Sequence, residues 1–286
     1  MPYLLLKKLN RIDENENKNL KPIAIVKSEK KDKDPLHNAF LYLDMDDKPN
    51  SKKKTKIELD FHQKFEILPN TNSDKRDVMY IAGASGSGKS YITKQIVNNY
   101  AKLYPKRKIF IVSRLDEDET LDGIKSKNII KLDIPSLVET PFDVNNPLFY
   151  KSCFVLDDVD DLPDKHQQKA VQDMLNAVSI MGRLHKKKKD EEGKETGQGG
   201  ISLFFLTHYI SNFSKTRIIL NESTHYVLYP QSTATNQLYY ILSKYIGLER
   251  KDILNLKKMG SRWCCIHKNY PQYIVGQYSA KILHTD

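Results

Sequence analysis

The sequence predicts an α/β fold, a mostly parallel sheet flanked by helices, with a lysine-rich N-terminal extension and a C-terminal helix-hairpin addition. Three observations carry that reading. The stretch Gly83-Ala84-Ser85-Gly86-Ser87-Gly88-Lys89-Ser90 lies between a short apolar, β-favouring run (Asp77 to Ala82) and a segment, Tyr91 to Leu103, whose apolar residues Ile92, Ile96, Val97, Tyr100 and Leu103 fall at helical spacing. The runs Lys108 to Ser113, Ser152 to Asp158 and Ile201 to Leu206 are continuously apolar, as strands buried on both faces of a parallel sheet are. Helix-length segments separate these runs.

Residues 1–75 are lysine-rich, with Asn/Asp/Lys clusters between short apolar runs at Pro22 to Val26, Ala39 to Leu43 and Ile57 to Leu68. This part is expected to be a basic, loosely structured extension with three strands; Lys52-Lys53-Lys54 could touch phosphates, and a solvated or disordered run is the preferred reading. Residues 76–230 are expected to form the core domain. Its opening stretch matches the phosphate-binding pattern Gly, four residues, Gly-Lys-Ser/Thr, with strand, loop and helix in the required order. Glycines let the loop turn its N–H groups inward, and the following helix presents its positive end. Gly83, Ala84, Ser85, Gly86, Ser87, Gly88, Lys89, Ser90 and Tyr91 are therefore the candidate nucleotide contacts, with ATP as the nucleotide. Lys89 would reach the β- and γ-phosphates, and Ser90 would offer its hydroxyl to Mg²⁺.

Pro105 ends the first helix, Lys108 to Ser113 is a buried strand, and the acidic loop Asp116 to Glu119 leads to the apolar run Ile129 to Leu132. Ser136 to Glu139 is a short helical turn. Ser152 to Asp158 is an apolar strand that ends in two carboxylates, the Walker B pattern: Asp157 would hold Mg²⁺ and Asp158 would orient or deprotonate the attacking water. An ordinary strand end followed by an acidic turn fits the same residues, because Asp160, Asp161 and Asp164 continue the run. Asp164 can cap a helix reaching Met181, with Val171, Met174, Leu175, Val178 and Met181 as its core stripe. Gly182-Arg183-Leu184-His185 ends that helix. Lys186 to Gly200, with four consecutive lysines, is too polar to pack and reads as a flexible insertion. Ile201 to Leu206 is the next buried strand. Thr207-His208 follows it, and His208 reads as a γ-phosphate sensor or as a loop histidine. Arg217 falls in a short helix and His225 to Tyr229 in a strand. Residues 231–286 are expected to add two helices, Asn236 to Ile246 and Glu249 to Met259 with a break at Gly247, and a hairpin, Arg262 to His267 with Gln272 to Tyr278, packed on the core. Phosphoryl transfer commonly also uses an arginine. Arg114, Arg183 and Arg217 are the candidates, and Arg183 is preferred because it precedes the sensor strand beside the lysine-rich insertion. The catalytic set is then Lys89, Asp158, Arg183 and His208.

The formal net charge of +10, from 46 Lys+Arg against 36 Asp+Glu, suits work beside a polyanion. Cys153, Cys264 and Cys265 give neither metal spacing nor a disulfide framework, so reduced intracellular thiols are expected. No stretch approaches the roughly 18 apolar residues of a membrane span, and Met1 to Leu9 has its lysines on the wrong side for a secretory signal. A soluble intracellular protein, or one packed into a particle, is the expectation.

Gly83 to Ser90, Phe154-Val155-Leu156-Asp157-Asp158-Val159-Asp160 and Gly182-Arg183-Leu184-His185 together resemble the FtsK/HerA-type P-loop genome-packaging ATPases of large DNA viruses. The resemblance spans about residues 76 to 230. It departs at Thr207-His208, where that family commonly ends its sensor strand in Gln, and at Asp158, where many relatives carry Glu. It implies an ATP-driven translocase of double-stranded DNA that works as a homo-oligomeric ring, in a virion or host-cell cytoplasm, alongside capsid or virion proteins. Arg183 would then complete a neighbour's site, and Lys186 to Lys189 would touch DNA phosphates. A P-loop kinase of a nucleotide or small molecule, and a nucleotide-binding interaction protein without motor activity, are the rival readings.

Overall fold

A computed structural model describes residues 2–8, 19–45, 54–183, 188–189, 195–196 and 200–283. Lys52, Lys53, Leu184, His185, Lys186 and Lys187 lie outside the described residues. The chain forms two compact units, Met1–Thr71 with His225–Asp286, and Asn72–Thr224.

The first unit opens with β1 (Tyr3–Lys7), β2 (Leu20–Ser28), β3 (Phe40–Asp44), β4 (Lys56–Glu58) and β5 (Gln63–Ile67). Four of these make an antiparallel sheet in the order β1-β3-β2-β5. Its apolar side buries Leu4, Ile23, Val26, Leu41 and Phe65 against Tyr273, Val275 and Ile282 from the far end of the chain. The described residues of the expected loose extension therefore include a four-stranded sheet with a buried side. Its short apolar runs look too sparse for a core only while the carboxyl-terminal residues that cover them go uncounted.

The second unit runs β6 (Val78–Ala82), α1 (Lys89–Leu103), β7 (Ile109–Ser113), β8 (Ile129–Lys131), α2 (Ile134–Glu139), β9 (Cys153–Asp157), α3 (Lys165–Met181), the two-residue strands β10 (Lys188–Lys189) and β11 (Glu195–Thr196), β12 (Ser202–Thr207) and α4 (Phe213–Glu222). Five strands form a wholly parallel sheet in the order β6-β12-β9-β7-β8. Val78–Ala82, Cys153–Leu156 and Leu203–Leu206 are almost inaccessible, as continuously apolar strands covered on both faces must be. α1 packs on β6 and β12, α4 packs on β6, and α3 contacts α2 and α4. Asp164 starts α3 by accepting bonds from the His166 and Gln167 N–H groups, as its cap position predicts. β10 pairs antiparallel with β11 inside the stretch expected to be a flexible insertion.

After Thr224 the chain returns to the first unit with β13 (His225–Leu228), α5 (Thr235–Ile241), a π-helical turn at Leu242–Ile246, α6 (Arg250–Lys258), β14 (Cys264–His267), β15 (Tyr273–Gly276) and β16 (Ser279–Ile282). Gly247, at φ +82°, makes the expected break between the helices. β13-β14-β15-β16-β4 form an antiparallel sheet, so the expected hairpin gains a third strand and a partner from the N-terminal segment. The units divide at Thr71/Asn72 and at Thr224/His225. The two outer segments, however, make one unit rather than an extension and an addition.

Leu41 is fully buried in β3, so Leu41→Ala should lower unfolding free energy in urea by about 2–5 kcal/mol. An unchanged midpoint would return residues 1–75 to the status of a loose extension.

Candidate active site

The carboxyl ends of parallel strands all point one way, so the loops that leave β6, β12 and β9 converge. The loop after β6 needs left-handed backbone at Gly86 (φ +71°) and Gly88 (φ +103°), which glycine adopts without a side-chain clash. Gly88 also occupies the cap position of α1 with no side-chain cap, so the first-turn N–H groups of α1 are free to face an anion. The Gly83 N–H donates to the Thr207 carbonyl at 3.2 Å and ties the loop to the end of β12. The buried Lys89 ammonium donates to the carbonyls of Gly83 (2.9 Å) and Ala84 (3.3 Å) and meets His208 Nδ1 at 3.2 Å.

β12 separates β6 from β9, and this places His208 between the loop lysine and the carboxylates. His208 Nε2 lies 2.7 Å from Asp158 Oδ1. An ammonium can only donate, so Nδ1 accepts from Lys89 and Nε2 carries the proton given to Asp158. The result is a continuous chain, Lys89–His208–Asp158, across three strand ends. The His208 N–H donates to Asp160 Oδ2 at 3.1 Å, the Tyr209 hydroxyl donates to Asp161, and the Tyr80 hydroxyl donates to the Tyr209 carbonyl at 2.5 Å. The loops after β9 and β12 are thereby fastened together at several points. Asp158 has φ +53°, a left-handed conformation that costs an L-residue about 1–2 kcal/mol and turns its carboxylate toward His208.

Asp157 is 3% exposed. Burial pushes its carboxyl up to about 7, Asp158 and Asp118 add to the rise, and Lys89 opposes it. Burial also raises Asp160, against hydrogen bonds from Thr207 and His208. Burial lowers Lys89, although Asp158, Asp157 and Asp160 draw it back. The site thus holds more carboxylate than its lysine balances. Asp157 and the Ser90 hydroxyl at the start of α1 are hard oxygen donors of the kind a Mg²⁺-type cation takes, although among the described residues no three or more His, Cys, Asp or Glu side chains gather as a metal site.

The structure brings Gly83 through Ser90, Asp157, Asp158 and His208 to one place. Tyr91 turns outward, 57% exposed on α1. Arg183 is not there: it follows α3, beside the Gly182 carbonyl that accepts from Ile201 N–H just before β12, and pairs with Glu222 at 3.4 Å. Its backbone is therefore roughly 20 Å from His208, the length of β12. Arg114, at the end of β7, lines a 390 Å³ cleft with Ser113, Asp116 and Asp118, and Ser113 is in register with Asp157. Arg217 lines a separate groove with Asp161 and Lys165. Asp118, in the acidic loop, and Asp160, in the acidic turn, also act on the site, on Asp157 and Lys89 respectively. The signal available was their position, each just past the carboxyl end of a predicted buried strand.

A carboxyl held to about 7 when folded, against 3.8 unfolded, leaves the native state with the extra proton, so stability falls as pH rises between those values. Asp157→Asn should therefore raise the thermal midpoint of the nucleotide-free protein by a few degrees at pH 8 and leave it nearly unchanged at pH 4. An equal shift at both pH values would contradict the buried-carboxylate assignment.

No protein-family model matches the chain. Among solved structures, the genome packaging NTPase B204 of Sulfolobus turreted icosahedral virus 2, in complex with ATP-gammaS, is 14% identical with a TM-score of 0.40, over 71% of this chain and 98% of that one. The pCW3 conjugation coupling protein TcpA, in monomer form with ATPgS, is 11% identical with a TM-score of 0.45, over 94% of this chain and 78% of that one. Among curated sequences, "Uncharacterized protein V3" of the Sputnik virophage is 34% identical over 219 residues, 76% of this chain and 81% of the relative. With that identity across most of both sequences, the chain belongs to the same family as the Sputnik V3 protein.

Proposed function

We propose that the protein is an Mg²⁺-dependent ATPase that drives double-stranded DNA translocation, packaging a viral genome into its capsid as a homo-oligomeric ring of the FtsK/HerA type. The observation that carries the hydrolytic part is the Lys89–His208–Asp158 chain beside the buried Asp157. The motor part rests on the motif resemblance and the net charge of +10. The virophage relative supports a viral setting.

In this reading the loop N–H groups and the start of α1 hold the β-phosphate. Lys89 exchanges its Gly83 and Ala84 carbonyl partners for phosphate oxygens, which is where its charge is most needed as the γ-phosphoryl leaves. Ser90 and Asp157 would hold Mg²⁺, which would supply positive charge against the phosphates. Asp158 receives the proton of the attacking water or fixes that water's orientation. His208, bonded to both Lys89 and Asp158, reports the presence of the γ-phosphate to the loops after β9 and β12. Arg183 is exposed and a strand length from its own Lys89, which suits delivery to a neighbouring subunit's nucleotide.

ATP turnover measured with and without duplex DNA, beside native mass, tests the proposal. Turnover should rise with DNA, and Lys89→Ala should reduce it to background. Wild-type turnover in Lys89→Ala would remove the phosphate-loop assignment. DNA-independent turnover by a monomer would leave an ATPase and remove the motor. Replacing Lys186 to Lys189 with alanine should make the salt dependence of DNA binding shallower, by up to about 4 in log–log slope. An unchanged slope would remove that segment as the DNA contact.

A further inference from the structure

Arg183 has a built mounting that the hydrolytic reading does not use. Arg76, just before β6, extends its guanidinium to the end of α3, where Nη1 donates to the Val178 carbonyl at 2.7 Å and Nη2 to the Ser179 carbonyl at 2.6 Å. Both carbonyls lie in the last turn of α3, where the Gly182 N–H also donates to Val178 at 3.2 Å, and a cation there suits the helix dipole. The stem of Arg76 runs against Gly200: a Cβ at Gly200 would meet the Arg76 Cβ at 2.8 Å and Cδ at 2.9 Å. A Cβ at Gly182 would meet Arg76 Nη1 at 2.7 Å and the Val178 carbonyl at 2.4 Å. Arg76 therefore passes between the two glycines that bracket the segment beginning at Arg183.

The same corner holds one carboxylate for two guanidinium groups. Glu222, at the end of α4, pairs with Arg183 at 3.4 Å and also attracts Arg76, while Arg76 and Arg183 repel. Burial, with Arg183 beside it, holds Arg76 down at about 10. A carboxylate that already faces one buried cation binds a second less tightly than it would bind it alone. The Arg183 pair is accordingly long and its side chain 58% exposed.

We propose that Arg76 and Glu222 are positioning residues for Arg183: Glu222 parks the guanidinium, while Arg76 fixes its backbone and keeps the parking weak enough to release it to a neighbouring subunit. The proposal rests on the reading of Arg183 as an arginine supplied in trans. Arg76 makes the fork-shaped double contact that lysine cannot reproduce, so Arg76→Lys keeps the charge and loses the clamp.

Mixed-subunit ATP turnover with DNA tests it. Arg183→Ala should lower kcat about a hundredfold or more, with KM for ATP nearly unchanged. Arg76→Met and Arg76→Lys should lower kcat about tenfold or more, again with KM unchanged. Mixing either Arg76 variant with Asp158→Ala subunits should restore part of the turnover, because each supplies what the other lacks, whereas mixing it with Arg183→Ala should restore none. Glu222→Gln, which removes the parking charge and leaves the clamp, should change kcat less than Arg76→Lys. Full activity in Arg183→Ala would overturn the trans reading itself. A defective Arg183→Ala beside fully active Arg76→Lys, or a folded Arg76→Lys that Asp158→Ala does not complement, would overturn the mounting and leave the trans reading standing.

Discussion

The placement of β12 between β6 and β9 is the constraint on which the site depends. A phosphate-binding loop and a pair of strand-end carboxylates have no direct reason to communicate when another strand separates them. Here the intervening strand ends in Thr207-His208, and the imidazole spans the gap with 3.2 Å to Lys89 on one side and 2.7 Å to Asp158 on the other. The contact depends on register: Thr207 is level with Ala82, and Phe205 with Leu156. A one-residue slip would turn the histidine to the opposite face. Three fully buried strands hold that register, so packing of the central sheet and geometry of the site are one problem.

Electrostatics follow from the same arrangement. Asp157, Asp158 and Asp160 surround one ammonium, and Asp118 adds its charge from the loop after β7. Removing these groups from water without enough positive charge is unfavourable, and the site answers by holding a proton on Asp157 to near neutral pH. A divalent cation with nucleotide phosphates would replace that proton, so ligand binding, proton release and stability are linked in one direction.

The glycine loop, its flanking strand and helix, and the strand ending in Asp157-Asp158 were legible in the sequence because their chemistry is local: a fixed spacing of glycines, one lysine, and an apolar run closed by acids. His208 was legible as a position and not as a bond, since no spacing reveals that β12 enters between β6 and β9. Asp118 and Asp160 were hidden for the same reason. The fold of the N-terminal segment was hidden by distance along the chain, because Leu41 and Phe65 are covered by Val275 and Ile282. Arg183 stood out in the sequence only by its place ahead of the sensor strand; its partners Glu222 and Arg76 come from elements far apart in sequence, and only packing brings them together.

In the proposed reading His208 is the joint through which the loop lysine and the carboxylates act together, and a single-turnover comparison of wild type with His208→Ala addresses that directly. ATP binding would be followed by a fluorescent analogue and γ-phosphate cleavage by rapid quench in the same preparation. Binding within a few-fold of wild type, with cleavage slower by about a hundredfold, is the result expected if Lys89–His208–Asp158 forms the hydrolytic chain. Cleavage at the wild-type rate in a folded His208→Ala protein would contradict it.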